Sequence, residues 1–287
     1  MQDGHYASNP AWADVQPIPQ DDGANPLVPI AYSREYSEAM DYFRAVSRTN
    51  EKSQRVLELT AHIIDMNPAH YTIWQYRQSL LDALKVDLEE ELNFIDELAE
   101  DKAKNYQIWH HRQVVVEKLG DGSREIPFIN QIIEEGSKNY HAWSYRQWVI
   151  QKFDLWKDEL AYVEDNLRID VRNNSAWNHR YFVVFSHPGH GVNQATIDRE
   201  IEFAKKMIKI APNNCSSWNY LLGVIRTTGY PVENLTPFLE DLKNGNIQSP
   251  YLLSTEIQVY EAVAKKENRS VDEKALEDIS VSAGIAE

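Results

Sequence analysis

The sequence predicts an all-α protein made of repeated helical hairpins, and three observations carry that reading. A tryptophan-centred segment recurs, apolar residues follow a helical period from residue 35 onward, and no segment alternates as a strand would. The clearest copy is Lys104-Asn105-Tyr106-Gln107-Ile108-Trp109-His110-His111-Arg112. Asn139-Tyr140-His141-Ala142-Trp143-Ser144-Tyr145-Arg146 repeats it, as does Asn173-Asn174-Ser175-Ala176-Trp177-Asn178-His179-Arg180. A looser copy, His70-Tyr71-Thr72-Ile73-Trp74-Gln75-Tyr76-Arg77, precedes them, and Asn214-Cys215-Ser216-Ser217-Trp218-Asn219-Tyr220-Leu221 follows. The tryptophans thus fall 34 or 35 residues apart until a last step of 41. Such a period marks stacked supersecondary units.

Residues 1–34 are set apart by composition. They hold five of the twelve prolines, and proline fixes φ and removes a donor, so an irregular, extended segment is expected. Trp12, Val15, Ile18, Leu27, Val28, Ile30 and Tyr32 make it too apolar for a purely disordered tail. Its later part is expected to lie as a strap on another surface. The repeat domain is placed at 35–287.

Within that domain an amphipathic helix precedes each tryptophan segment. Val56, Leu59, Ile63 and Ile64 form one stripe, and Leu88, Leu92, Ile95 and Leu98 the next. Ile126, Ile129 and Ile133 continue the pattern, then Leu160, Val163 and Leu167, then Ile197, Ile201, Ala204 and Ile208. The tryptophan segments are themselves helical, with Trp109, Val116 and Leu119 on one side and Trp143, Ile150 and Phe153 on the next. Asn105, Asn139, Asn173 or Asn174, and Asn214 stand where N-caps belong, because the Asn side chain accepts from an exposed helix N–H. Gly120 ends one tryptophan helix. The glycine-rich run His187-Pro188-Gly189-His190-Gly191 is read as the insertion behind the 41-residue step, and Pro231 and Pro250 as loop punctuation.

Composition excludes several classes. With 29 basic and 44 acidic residues the net charge is −15, which disfavours a nucleic-acid backbone reader. The lone Cys215 rules out a disulfide framework and a cysteine zinc site. No signal-peptide pattern opens the chain, and no run of 18 apolar residues would insert in a membrane, so a cytoplasmic protein is expected. His110 and His111 point to different faces of a helix, and His187 and His190 have no nearby ligand pair, so no metal site is expected.

The tryptophan and arginine repeats are read as structure first. Large aromatics dominate inter-repeat cores, and Arg77, Arg112, Arg146 and Arg180 lie one turn on, in reach of carbonyls or carboxylates of a neighbouring repeat. Function is expected at the edge shared by the helix N-termini, where exposed N–H groups and the dipole favour anions. Lys104, Tyr106, Gln107, Asn139, Tyr140 and His141 sit on that edge.

The Trp-x-x-Arg repeat preceded by Asn-Tyr resembles the repeat of protein prenyltransferase alpha subunits. Val15-Gln16-Pro17-Ile18-Pro19-Gln20-Asp21-Asp22-Gly23, Asp41 to Val46, Lys104 to Arg112 and Asn139 to Trp148 are similar to the form shared by farnesyltransferase and geranylgeranyltransferase type I. The resemblance spans residues 12–265. It implies a right-handed superhelical crescent, tetratricopeptide-like, in an obligate heterodimer with a beta subunit. It further implies transfer of a farnesyl or geranylgeranyl group from its diphosphate to the cysteine of a C-terminal C-a-a-X motif on proteins such as small GTPases. Zinc would be bound by the beta subunit, and magnesium would accompany the diphosphate. Carried over residue by residue, Lys104 is catalytic, and Lys104, Tyr140 and His141 face the prenyl diphosphate. Tyr106 lies beside the site, and Asn139 is a cap more than a contact. Gln107 matches a residue that binds the peptide carboxylate, and Ala69 and Tyr71 match the pocket for the peptide's last residue.

Two departures stand out. Leu221 replaces the repeat arginine, as befits a terminal repeat, and the end at Ile279–Glu287 comes sooner than the family pattern implies. Two other functions share the repeats: the alpha subunit of the Rab geranylgeranyl enzyme, and a non-catalytic helical-repeat scaffold. The first would bring extra domains in its animal form. The second has no need of Lys104-Asn105-Tyr106-Gln107 or the proline segment. Which prenyl group is transferred is set mostly by the partner.

Overall fold

The structure is a computed structural model that describes residues 5–189 and 191–268; His190 and the terminal residues 279–287 singled out above lie outside that range. The described residues contain thirteen α-helices, two short 3-10 turns and no strand. The helices are α1 (Arg34–Arg48), α2 (Gln54–Met66), α3 (Tyr71–Leu84), α4 (Leu88–Lys102), α5 (Tyr106–Leu119), α6 (Glu125–Glu135) and α7 (Tyr140–Phe153). They continue with α8 (Glu159–Ile169), α9 (Asn174–Ser186), α10 (Gln194–Ile210), α11 (Cys215–Thr228), α12 (Thr236–Asn244) and α13 (Pro250–Lys266). No described helix is long and apolar enough to cross a membrane. The chain divides into two compact units, Met1–Val149 and Ile150–Glu287.

In the first unit α1 packs on α2, α2 on α3, and α4 on α5, while α3 meets α5 and α4 meets α6. The predicted stripes form the core: Val56, Leu59, Ile63, Ile64, Leu92, Ile95, Ile129 and Ile133 are all buried. In the second unit α8 packs on α9, α10 on α11, and α9 meets α11, over Val163, Leu167, Ile201, Ala204 and Ile208. Burying each of these valine, leucine and isoleucine side chains contributes roughly 1.5–3 kcal/mol, which is why the 3.6-residue period governs the fold.

Capping follows the expected chemistry. Asn105, Asn139, Asn173 and Asn214 each accept from the amide two residues on, at 2.9–3.2 Å. Asn173, not Asn174, caps α9. His70 occupies the same slot before α3 and makes no side-chain cap bond. Gly120 takes φ 70° after α5, where a side chain would be strained.

Each repeat tryptophan then closes its own turn. The indole Nε1 of Trp74, Trp109, Trp143, Trp177 and Trp218 donates to the carbonyl six residues earlier, at 2.7–2.9 Å. The indole N–H cannot be buried unpaired without cost, and this carbonyl satisfies it five times.

The linker between Ser186 and Gln194 is longer than that between Leu84 and Leu88 and supplies most of the excess of the long final interval over the first, as expected, while α10, started by Asn193 capping Thr196, runs 17 residues against 15 in α4. One expectation is corrected. Pro250 is the first residue of α13 rather than loop punctuation, since its missing N–H is one that no helix start satisfies internally. The earlier part of the proline-rich segment lies on the chain itself. Tyr6 and Trp12 are buried, the Ile18 amide donates to the Asp41 carbonyl, and Arg44 donates to the Ile18 carbonyl. The later part holds Leu27, Val28 and Ile30 exposed at 99%, 86% and 68%.

Candidate functional site

Lys104 is the middle residue of the three-residue turn between α4 and α5. Its backbone is held on both sides. The Asn105 amide donates to the Lys102 carbonyl at 2.9 Å, and the Ala103 carbonyl accepts Trp109 Nε1 at 2.7 Å and Asn139 Nδ2 at 3.0 Å. The side chain is exposed and makes no ion pair among the described residues. Asn139 is therefore more than a cap: its Oδ1 accepts from His141 and Ala142 while its Nδ2 reaches back 36 residues to Ala103. One amide group sets the start of α7 against the turn that carries Lys104.

This places Tyr106, Tyr140 and His141 together. The Tyr106 and His141 rings are 6.2 Å apart edge to face, and Tyr140 and His141 are 5.6 Å apart. Tyr106 also stacks parallel to His110 at 6.2 Å. Tyr71, Tyr106 and Tyr140, each the first residue of its helix, are 69%, 62% and 75% exposed, whereas α9 and α11 open with Asn174 and Cys215. Such large rings left in solvent are surface for a ligand or partner to cover. Gln107 is half-buried one position further into α5. Ala69 and Tyr71 lie one repeat earlier and share no hydrogen bond or ring contact with the Lys104 cluster among the described residues. A groove of about 620 Å³ opens beside the turn, but Glu100, Asp101 and Glu135 line it with Lys104 and Lys138, so it is a poor receptacle for an anion. The side of the turn at the α5 and α7 N-termini, where Tyr106, Tyr140 and His141 gather, is the better one.

The repeat arginines are not part of this surface. Arg77 makes a two-pronged pair with Glu91 at 2.7 Å and lies over Phe94. Arg112 pairs likewise with Glu125 and Arg180 with Glu200, over Phe128 and Phe203. Burial alone would pull Arg112 and Arg180 down, yet their carboxylate partners hold both above the ordinary arginine value. Burial pushes the Glu91 and Glu200 carboxyls up, and their hydrogen bonds and arginine neighbours more than reverse it, leaving both below the usual carboxylate value.

The carboxylates themselves were not singled out from the sequence. A signal existed: Glu91, Glu125, Glu159 and Glu200 recur with the same intervals as Trp109, Trp143, Trp177 and Trp218. Of the adjacent histidines, His110 is exposed and His111 is buried against Glu91. Among the described residues no three His, Cys, Asp or Glu side chains converge as metal ligands.

Comparison with known proteins agrees with the repeat architecture. The pattern described as protein prenyltransferase alpha subunit repeat matches residues 53–84, 88–119, 123–153, 156–187 and 197–228. Protein farnesyltransferase/geranylgeranyltransferase type-1 subunit alpha of Schizosaccharomyces pombe is 58% identical over 218 residues, covering 76% of this chain and 74% of that protein. The subunit of the same name from Solanum lycopersicum is 52% identical over 99 residues, which span 34% of this chain and 29% of that protein. Among solved structures, Candida albicans protein geranylgeranyltransferase-I complexed with GGPP superposes with a TM-score of 0.84 at 32% identity, covering 93% of this chain and 91% of the matched one.

Proposed function

Since the chain belongs to the protein prenyltransferase alpha subunit family, we propose that it is the alpha half of a protein farnesyltransferase/geranylgeranyltransferase type I. As such it takes part in moving a farnesyl or geranylgeranyl group from its diphosphate to the cysteine of a C-a-a-X tail. The observation that carries this reading is the bond from Asn139 to the Ala103 carbonyl, which joins the turn carrying Lys104 to the helix start of Tyr140 and His141, in a fold similar over most of its length to an enzyme complexed with GGPP.

In the reaction the C1–oxygen bond of the prenyl diphosphate breaks, C1 bonds to the cysteine sulfur, the thiol proton leaves to solvent, and diphosphate departs. Negative charge accumulates on the bridging and α-phosphate oxygens as the bond lengthens. A cation fixed near them acts more strongly on the transition state than on the ground state. Lys104 fills that role, and lysine suits it as a compact charge on a flexible stem. Tyr140 and His141 supply further donors to the departing oxygens, with Tyr106 beside them. Gln107 holds the peptide carboxylate, and Ala69 and Tyr71 border its last residue.

The described residues of this chain do not fit a zinc site, so zinc for the thiol belongs in the beta subunit. The lysine, tyrosine and histidine around the diphosphate site offer no carboxylate for magnesium, which would ride on the diphosphate oxygens. Neither ion enters the steps assigned to this chain. The partner is the beta subunit, and the exposed apolar segment 27–32 is the strap that meets it. The complex works in the cytoplasm on C-a-a-X proteins such as small GTPases.

The test is co-expression with candidate beta subunits, followed by prenyl transfer to C-a-a-X peptides ending in Ser, Met or Leu. A stable 1:1 complex with transfer is expected. A complex that forms and transfers nothing to any of these peptides would return the chain to the scaffold reading.

A further inference from the structure

We propose that Trp109 is a positioning residue for Lys104, acting through its indole N–H rather than its bulk. This rests on the reading of Lys104 as the cation that faces the diphosphate. The Lys104 ammonium has no partner among the described residues, so its place depends on where its backbone is held. The peptide group joining Ala103 to Lys104 is held at its oxygen by Trp109 Nε1 at 2.7 Å and Asn139 Nδ2 at 3.0 Å. A carbonyl with both lone pairs engaged cannot rotate without losing a bond, so the Cα of Lys104 and the direction of its side chain are set. Trp109 belongs to the same helix as Tyr106 and Gln107, and Asn139 caps the helix of Tyr140 and His141. The Ala103 oxygen is thus the point at which the cation and both sets of neighbouring residues are put in register.

The fold supplies a matched control. In the second unit the Val171 carbonyl accepts Trp177 Nε1 at 2.8 Å and Asn214 Nδ2 at 2.7 Å, the same two donors at the same repeat positions. The next residue there is Arg172, which the proposed reaction does not use. Trp109 is 5% exposed and Trp177 2%, so replacing either by phenylalanine removes the N–H and the same part of a comparably packed ring.

The experiment compares Trp109→Phe, Trp177→Phe and Lys104→Ala in the heterodimer with its beta subunit. It measures thermal midpoint, affinity for geranylgeranyl diphosphate and the single-turnover rate of transfer to a C-a-a-X peptide. The two tryptophan variants should lose similar stability. Trp109→Phe alone should slow the chemical step, by about three- to tenfold, with diphosphate affinity nearly unchanged, because a small misplacement of a catalytic group costs rate more than binding. If Lys104→Ala slows transfer while Trp109→Phe matches Trp177→Phe in rate, the positioning role is overturned and the diphosphate reading stands. If Lys104→Ala itself transfers at the wild-type rate, the underlying reading fails and this inference with it.

Discussion

His111 Nε2 lies 2.7 Å from Glu91 Oε1, both side chains enclosed in the first unit and twenty residues apart in the chain. The separation recurs at the buried glutamate of each later repeat. Tyr145 donates to Glu125, His179 lies against Glu159 and Tyr220 donates to Glu200, all at 2.6–2.7 Å. Glu91, Glu125 and Glu200 also receive an arginine from the preceding repeat, so each carboxylate ties two successive repeats together.

Cutting one member of such a set leaves a buried charge behind, which costs about 3–5 kcal/mol. Glu200→Ala should lose stability on that scale in urea melts, with Arg180 left to Glu164 alone and Tyr220 without its acceptor. The double variant Arg180→Met, Glu200→Leu should lose less, because it removes the charge as well as the bond. A Glu200→Ala midpoint equal to wild type would mean the carboxylate is not a structural tie.

The same pair makes stability depend on pH. Burial holds His111 below its ordinary value of 6.5, only partly opposed by its bond to Glu91. A base depressed in the folded state lets the unfolded chain bind the extra proton. Stability is therefore full above 6.5 and declines as the pH falls below it. Glu91 and Glu200, depressed from 4.5 by their partners, add a second loss of the same sign below that value. Melting midpoints across pH 7 to 5 should slope downward toward acid, and His111→Asn should flatten the slope. Parallel curves for the two proteins would place the acid sensitivity elsewhere.

Trp143 is 4% exposed, and its indole N–H is bonded to the Ser137 carbonyl. Trp143→Ala should cost roughly 3–5 kcal/mol and lower yield and heterodimer assembly together. Normal melting with transfer selectively lost would show that this ring serves the reaction rather than the core.

Lys104→Ala should leave assembly and melting unchanged, shift prenyl diphosphate affinity modestly and slow single-turnover transfer by on the order of tenfold or more, ~1.4 kcal/mol per tenfold. Lys104→Arg should recover part of the rate, since its charge is spread over a planar fork. An unchanged rate, measured without excess magnesium, would leave this subunit as a binding half.

The exposed run Leu27, Val28 and Ile30 gives an assembly test. Leu27→Asp with Ile30→Asp should weaken the heterodimer while the isolated chain melts as before, because these side chains touch no core within it. Pull-down with the beta subunit at wild-type level would remove the segment from the interface.

Periodicity in the sequence was enough to determine the helical class, the repeat period and three of the asparagine caps, with the cap of α9 narrowed to Asn173 or Asn174. Those features rest on local physics: a 3.6-residue stripe, a side chain that accepts from its own helix start, a glycine at positive φ. The resemblance of Lys104-Asn105-Tyr106 and Asn139-Tyr140-His141 pointed to the site, but spacing could not say how the two segments meet. That was decided by the tertiary structure, in which Asn139 Nδ2 and Trp109 Nε1 converge on one carbonyl. It also buried His111 against Glu91, turned four glutamates inward and drew the early proline-rich residues onto α1 and α2. Each of these is a contact between residues far apart in the chain, whose energy comes from satisfying a buried polar group or covering an aromatic ring. A local pattern records which residues are available for such contacts; packing chooses the partners.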